Sequence, residues 1–252
     1  MVRGLDIFRE RFRGYSDRYM LIGGAACDLA MREAGLEFRA TKDLDIVLCV
    51  EALDAAFVEV FWAFVREGGY QVQQRAEGHR QFYRFQKPKA ERFPFMLELF
   101  SRSPKDLPIA PGSHLTPIPT AEEVSSLSAI LMDADYYGFI RSAAEEINGL
   151  PIVGPTGLIP LKARAWLDLT ERKAKGEAID SRDIRKHKND VFRLYQIVDP
   201  ETSMEVPAKV KADMATFVTR VTSEGVDLKA PGMPKAGLES ILADLRKLYR
   251  ID

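Results

Sequence analysis

Residues 39–47 read RATKDLDIV, and within them Asp43 and Asp45 limit the fold more than any other pair of residues in the chain. An extended strand alternates its side chains at roughly 3.3 Å per residue, so both carboxylates leave one face with their stems about 6 to 7 Å apart. Leu44, Ile46, Val47 and Leu48 around them are apolar, which sends the strand to an interior. Two carboxylates in such a strand repel each other and lose hydration unless a cation or a set of donors neutralises them. A divalent metal such as magnesium, accompanied by a polyphosphate, meets that requirement.

Just upstream, YMLI at 19–22 reads as a strand and residues 25–34 as a helix ended by Gly35, with Gly23-Gly24 at the turn between them. Small residues at a strand-to-helix turn let a phosphate approach the exposed amides and the positive dipole end of the helix. The same dipeptide also serves any tight turn. What distinguishes this one is the order that follows: an anion cradle, one helix, then a strand with two carboxylates on one face.

The rest of the first 155 residues alternates short elements. Helices are expected at 4–13, 51–67 and 133–145, and strands at 43–49, 70–76, 80–86, 93–100, 126–131 and in LPIV after the Asn148-Gly149 turn. Five prolines between Pro104 and Pro119 read as a loop. From 156 to 252 the pattern is helical. Thr156 is expected to cap a helix with Pro160 in its first turn and Gly176 at its end, Asp180 or Ser181 to cap the next, and two more helices to lie near 205–223 and 236–249. The fold class is therefore α+β, a mixed sheet in residues 1–155 followed by a helical part in 156–252.

Three further residues carry possible chemistry. Glu98 interrupts the strand MLELF, where it either faces solvent on an edge or joins Asp43 and Asp45 as a third carboxylate able to hold metal or take a proton. Lys162 lies in LIPLKARAW, where its ammonium must find an anion or emerge into water. Asp183, Lys186, Asp190 and Arg193 share one helical face as ion pairs or as part of a site. Residues 162–193 hold ten Lys or Arg against six Asp or Glu, the one local basic excess. His187 falls in an apolar stripe, and no His or Cys spacing makes a zinc site.

Composition excludes several classes. With 36 basic and 37 acidic residues and a net charge of -1, no global charge selects nucleic acid or membrane. Two cysteines are too few for a disulfide framework, which points to a reducing, cytoplasmic setting. No apolar run reaches membrane-spanning length, and the charged first residues lack a signal-peptide core.

Taken together, strand, Gly-Gly, helix and the Arg-x-Thr-x-Asp-x-Asp strand resemble the core of the DNA polymerase β-type nucleotidyltransferase superfamily. Lys162 with Ala163 and Ala165, Arg172, and Arg182-Asp183 followed by Asp190 resemble more narrowly the AbiEii-type nucleotidyltransferases, toxins of type IV toxin-antitoxin pairs. Ala25 stands where many of the superfamily have a serine, and Glu98 where an aspartate is commoner. The resemblance implies a nucleotidyltransferase fold in which Asp43, Asp45 and Glu98 hold Mg2+, Gly23 and Gly24 lie under a nucleoside triphosphate, and Lys162 and Asp183 belong to the nucleotide and catalytic site. Arg39 and Lys42 are neighbouring nucleotide-binding candidates. The basic helices of 162–193 are expected to receive the acceptor, an RNA such as a tRNA end, and the resemblance implies an antitoxin protein as partner. Two alternatives remain open: transfer to a small molecule of aminoglycoside type, and a non-catalytic nucleotide- or RNA-binding module on a degenerate form of the fold.

Overall fold

A computed structural model describes residues 2–74, 80–102, 115–117 and 128–251. His79, His114 and most of the proline-rich stretch lie outside the described residues. The elements run α1 (Leu5–Phe12), β1 (Tyr19–Ile22), α2 (Gly23–Glu33), β2 (Asp43–Leu48), α3 (Ala55–Gly68), β3 (Gln71–Gln74), β4 (Arg80–Gln86), β5 (Met96–Ser101), β6 (Leu115–Pro117), β7 (Ser128–Leu131), α4 (Ala134–Ser142), β8 (Ala144–Ile147), β9 (Leu150–Val153), α5 (Pro155–Ala174), α6 (Ser181–Tyr195), α7 (Ala208–Glu224) and α8 (Leu238–Tyr249). The fold is α+β. The chain divides into two compact units, one comprising 1–137 with 144–153 and the other 138–143 with 154–252.

In the first unit one mixed sheet carries every described strand, in the order β3-β4-β5-β2-β1-β9-β8, with β7 on β5 and β6 on β7. β1 and β2 are antiparallel, pairing Ile22 with Asp45, whereas β2 and β5 are parallel and pair Asp45 with Glu98. Alternation then sorts the faces. Leu44, Ile46 and Leu48 of β2 and Leu97 and Leu99 of β5 are buried, while Asp43, Asp45, Met96 and Glu98 are part-exposed on the opposite face.

The buried face is covered by aromatic rings. Phe8 and Phe12 of α1 meet Tyr19 and Phe64, and Phe61 and Trp62 of α3 meet Phe85 edge-on. Each such ring stabilises by about 1.5 to 3 kcal/mol through burial alone, so this cluster fixes the plane from which the carboxylates project. Asp54 caps α3 by accepting from the Phe57 amide, which moves the start of that helix from the expected 51 to 55.

Three local expectations are corrected. The helix expected to reach 145 stops at Ser142, and 144–147 forms β8 paired to β9. Asn148 and Gly149 both have positive φ, 52° and 75°, the geometry of a two-residue hairpin turn whose twist suits flanking strands. The three described residues of the proline-rich stretch form β6, paired to β7, and not a loop. α5 is capped at Gly154 with Pro155 as its first residue, so Thr156 is not the cap and Pro160 lies inside the helix.

Pro160 has a consequence within the second unit. Lacking an N–H, it cannot donate to the carbonyl of Thr156 one turn back. The Tyr249 hydroxyl of α8 fills that place, donating to the Thr156 oxygen at 2.8 Å. Tyr249→Phe should therefore lower stability by about 1 to 2 kcal/mol, and by clearly less in a Pro160→Ala background, where the helix regains its own donor. Urea melts of the four proteins measure this coupling, and an equal cost in both backgrounds would refute it.

Candidate functional site

The site is built where β1 hands over to α2. Ile22 is extended and Gly23 turns to φ 67°, a left-handed conformation that an L side chain enters only with strain. That turn brings the backbone against β2. A Cβ placed on Gly23 would stand 1.7 Å from Oδ2 of Asp45, so the carboxylate occupies the volume a side chain would need. A Cβ on Gly24 would stand 2.3 Å from Oγ1 of Thr41. Both glycines are thus required by contacts with the strand segment that carries the aspartates. The helix expected from residue 25 starts at Gly23, which places both glycines in its first turn, with Ile22 as an N-cap residue whose side chain makes no capping hydrogen bond.

The physical result is a helix start beside a carboxylate. First-turn amides and the dipole favour an anion there, and Asp45 supplies one. Asp43 projects from the same face two residues away. A second anion such as a phosphate would be repelled by both unless a cation stood between them. The donor set of Asp43 and Asp45, two carboxylates on one strand face, fits the chemistry of Mg2+.

Glu98 lies beside Asp45 in register and on its face, as the strand reading requires. Its carboxylate is turned to Arg84 of β4, whose Nε donates to Oε1 at 2.5 Å. Arg84 is its register partner across β4 and β5. Among the described residues no group of three His, Cys, Asp or Glu is placed to hold a metal ion. Glu98 thus has a cationic partner within the sheet.

Lys162 is not a surface lysine. It is 5% exposed, and its Nζ lies 3.5 Å from Oδ2 of fully buried Asp190 on α6. Arg193 completes the cluster, donating to Oδ1 of Asp190 at 3.0 Å. Asp183, expected to enter the site, is exposed and lies 4.0 Å from Lys186 one turn on. Arg39 stacks its guanidinium over Phe38, 5.0 Å from the ring centroid, and Lys42 is exposed immediately before Asp43.

Sequence reasoning missed Arg84, and it named Thr41 and Asp190 only within motifs without assigning either a role. Thr41 was within reach, since period 2 puts residues 41, 43 and 45 on one face. Arg84 was not, because its role depends on the register of β4 against β5. The spacing of Asp190 was visible, but its burial was not.

No protein-family model and no curated protein sequence matches the chain. Among solved structures it is similar to the antibiotic-resistance factor ANT(2'')-Ia, at 12% identity over 88% of this chain and 96% of that one, with a TM-score of 0.39. It is similar to JHP933 from Helicobacter pylori, at 14% identity over 96% and 87% with a TM-score of 0.39. The Megavirus polyadenylate synthase gives 12% identity over 88% of this chain and 36% of that one, with a TM-score of 0.40. Likenesses this distant carry no weight for activity, which must be argued from the residues.

Two outcomes check the geometry. Gly23→Ala forces a methyl group into the Asp45 carboxylate and should cost on the order of 1 to 3 kcal/mol, visible as a lowered melting temperature. A melting temperature equal to wild type would mean that Asp45 does not sit on Gly23. Lys162→Met removes a cation from a buried carboxylate. Arg193 remains, so the cost should fall below the 3 to 5 kcal/mol of a fully orphaned charge, at about 1 to 3 kcal/mol and several degrees of melting temperature. An unchanged melting temperature would contradict the pairing.

Proposed function

We propose that the chain is a nucleotidyltransferase that moves a nucleoside monophosphate from a nucleoside triphosphate to an acceptor hydroxyl. The observation that carries this reading is the Asp45 carboxylate lodged against Gly23 at the start of α2, with Asp43 on the same strand face. Asp43 and Asp45 would hold Mg2+, which when bound supplies positive charge against the phosphates. Gly23 and Gly24 let the triphosphate lie against first-turn amides. The acceptor oxygen forms a bond to the α-phosphorus as the bond to the leaving oxygen breaks, pyrophosphate departs, and the hydroxyl proton passes to the acidic face. Glu98 is the third carboxylate of that face, its charge matched by Arg84.

The acceptor in this proposal is RNA, such as a tRNA end, in preference to a small molecule of aminoglycoside type. Resemblance to the AbiEii-type toxins supports a cellular role as the toxin of a pair, acting in the cytoplasm and held in check by an antitoxin protein. Among the described residues no helix is long and apolar enough to cross a membrane. Lys162, Asp190 and Arg193 act in this reading by holding α5 to α6, and Asp183 by closing an ion pair on the helix surface.

The test is transfer of label from α-labelled nucleoside triphosphates with magnesium, offered total RNA, an aminoglycoside or no added acceptor. Wild type should label RNA, and Asp45→Asn should lose activity by on the order of 100-fold or more while keeping its melting temperature. Absence of label in every acceptor, or an Asp45→Asn enzyme as active as wild type, would overturn the proposal.

A further inference from the structure

Only two large apolar side chains among the described residues are substantially exposed, Leu36 at 38% and Phe95 at 40%. Leu36 stands in the turn after α2. Phe95 is different, because cations surround it. The Arg3 guanidinium lies over its ring at 5.9 Å and the Lys42 ammonium at 6.0 Å from the centroid, at the outer limit of a cation–π contact, and the residue stays 40% exposed.

The backbone fixes this arrangement. The Phe95 amide donates to the Lys42 carbonyl, the Lys87 amide donates to the Phe95 carbonyl, and Arg3 Nε donates to the Phe93 carbonyl. Arg3, Lys42, Lys87 and Lys89 are all exposed. Elsewhere in this unit arginines are matched, as in Arg11 and Arg92 with Glu67, Arg18 with Asp54 and Arg102 with Glu51. None of Arg3, Lys42, Lys87 and Lys89 has a carboxylate partner among the described residues. In a chain of net charge -1, unmatched cations beside an exposed aromatic residue are a charge pattern suited to a polyanion with flat apolar groups.

We infer that Phe95, with Arg3, Lys42 and Lys87, forms a stacking platform for single-stranded RNA, and that this platform receives the acceptor strand. The inference rests on the nucleotidyl-transfer reading only for the word acceptor. Its placement suits the role. Lys42 directly precedes Asp43, and Phe95 directly precedes Met96, the register partner of Asp43. Alternation puts the platform on the opposite face from the carboxylates, at the rim of the sheet, roughly 10 Å along β2 from Asp45. A strand with one base on Phe95 and its phosphates on the flanking cations would carry the next nucleotide over that rim toward the acidic face. This gives Lys42 the acceptor backbone in place of the triphosphate. Single-stranded RNA suits the ring better than a duplex, whose bases are already stacked on each other.

The probe is a fluorescein-labelled single-stranded RNA of about 12 nucleotides, titrated by anisotropy without nucleotide or magnesium. Phe95→Ala should weaken binding about tenfold and Phe95→Trp should retain it. Both variants should keep the wild-type melting temperature and wild-type triphosphate affinity. Binding by Phe95→Ala equal to wild type, or wild-type preference for duplex over single strand, would overturn the platform. Measuring magnesium-dependent triphosphate binding alongside separates the two readings. If wild type binds no triphosphate while its RNA affinity still falls tenfold in Phe95→Ala, the transfer reading fails and the platform stands.

Discussion

The contact between Gly23 and Asp45 governs the arrangement of this protein's acidic face. It requires a residue without Cβ, a left-handed backbone and an antiparallel pairing of β1 with β2 that brings Ile22 opposite Asp45. Change any of these and the carboxylate leaves the helix start. Once the contact is in place, the direction of α2, the face chosen by Asp43 and the position of Glu98 follow from strand geometry.

Electrostatics then distinguishes the three carboxylates. Glu98 is neutralised from within by Arg84, and Asp45 draws on the start of α2. Bringing a triphosphate to that start is unfavourable without a cation, which is why the proposed reaction includes Mg2+. In the other unit a second buried carboxylate, Asp190, is matched by Lys162 and Arg193. Its charge is matched within α5 and α6, where it supports the packing of the two helices. A matched buried cluster costs much to break and binds little.

What could be read in the sequence was whatever depended on near neighbours. β1, the glycines, α2 and β2 announce themselves through an apolar run, a turn dipeptide and a period of two within about thirty residues. The argument that Lys162 needs an anion was sound, yet the anion is supplied by Asp190, 28 positions later, and no spacing rule separates that from a phosphate. The same limit hid Arg84, whose meeting with Glu98 depends on strand register. It also hid Tyr249, which completes the hydrogen bonding around Pro160 from 93 residues away. The strand β8 was lost for a different reason: Asn148-Gly149 was read as a turn into one strand, whereas a turn of that geometry joins two.

The central claim is that the acidic face needs a cation before it admits a triphosphate. Equilibrium dialysis of the wild-type protein with labelled adenosine triphosphate, with magnesium and then with excess chelator, tests this most directly. The account predicts saturable binding at one site per chain with magnesium and loss of that binding in chelator. Equal binding under both conditions, or none in either across the four nucleoside triphosphates, would contradict it.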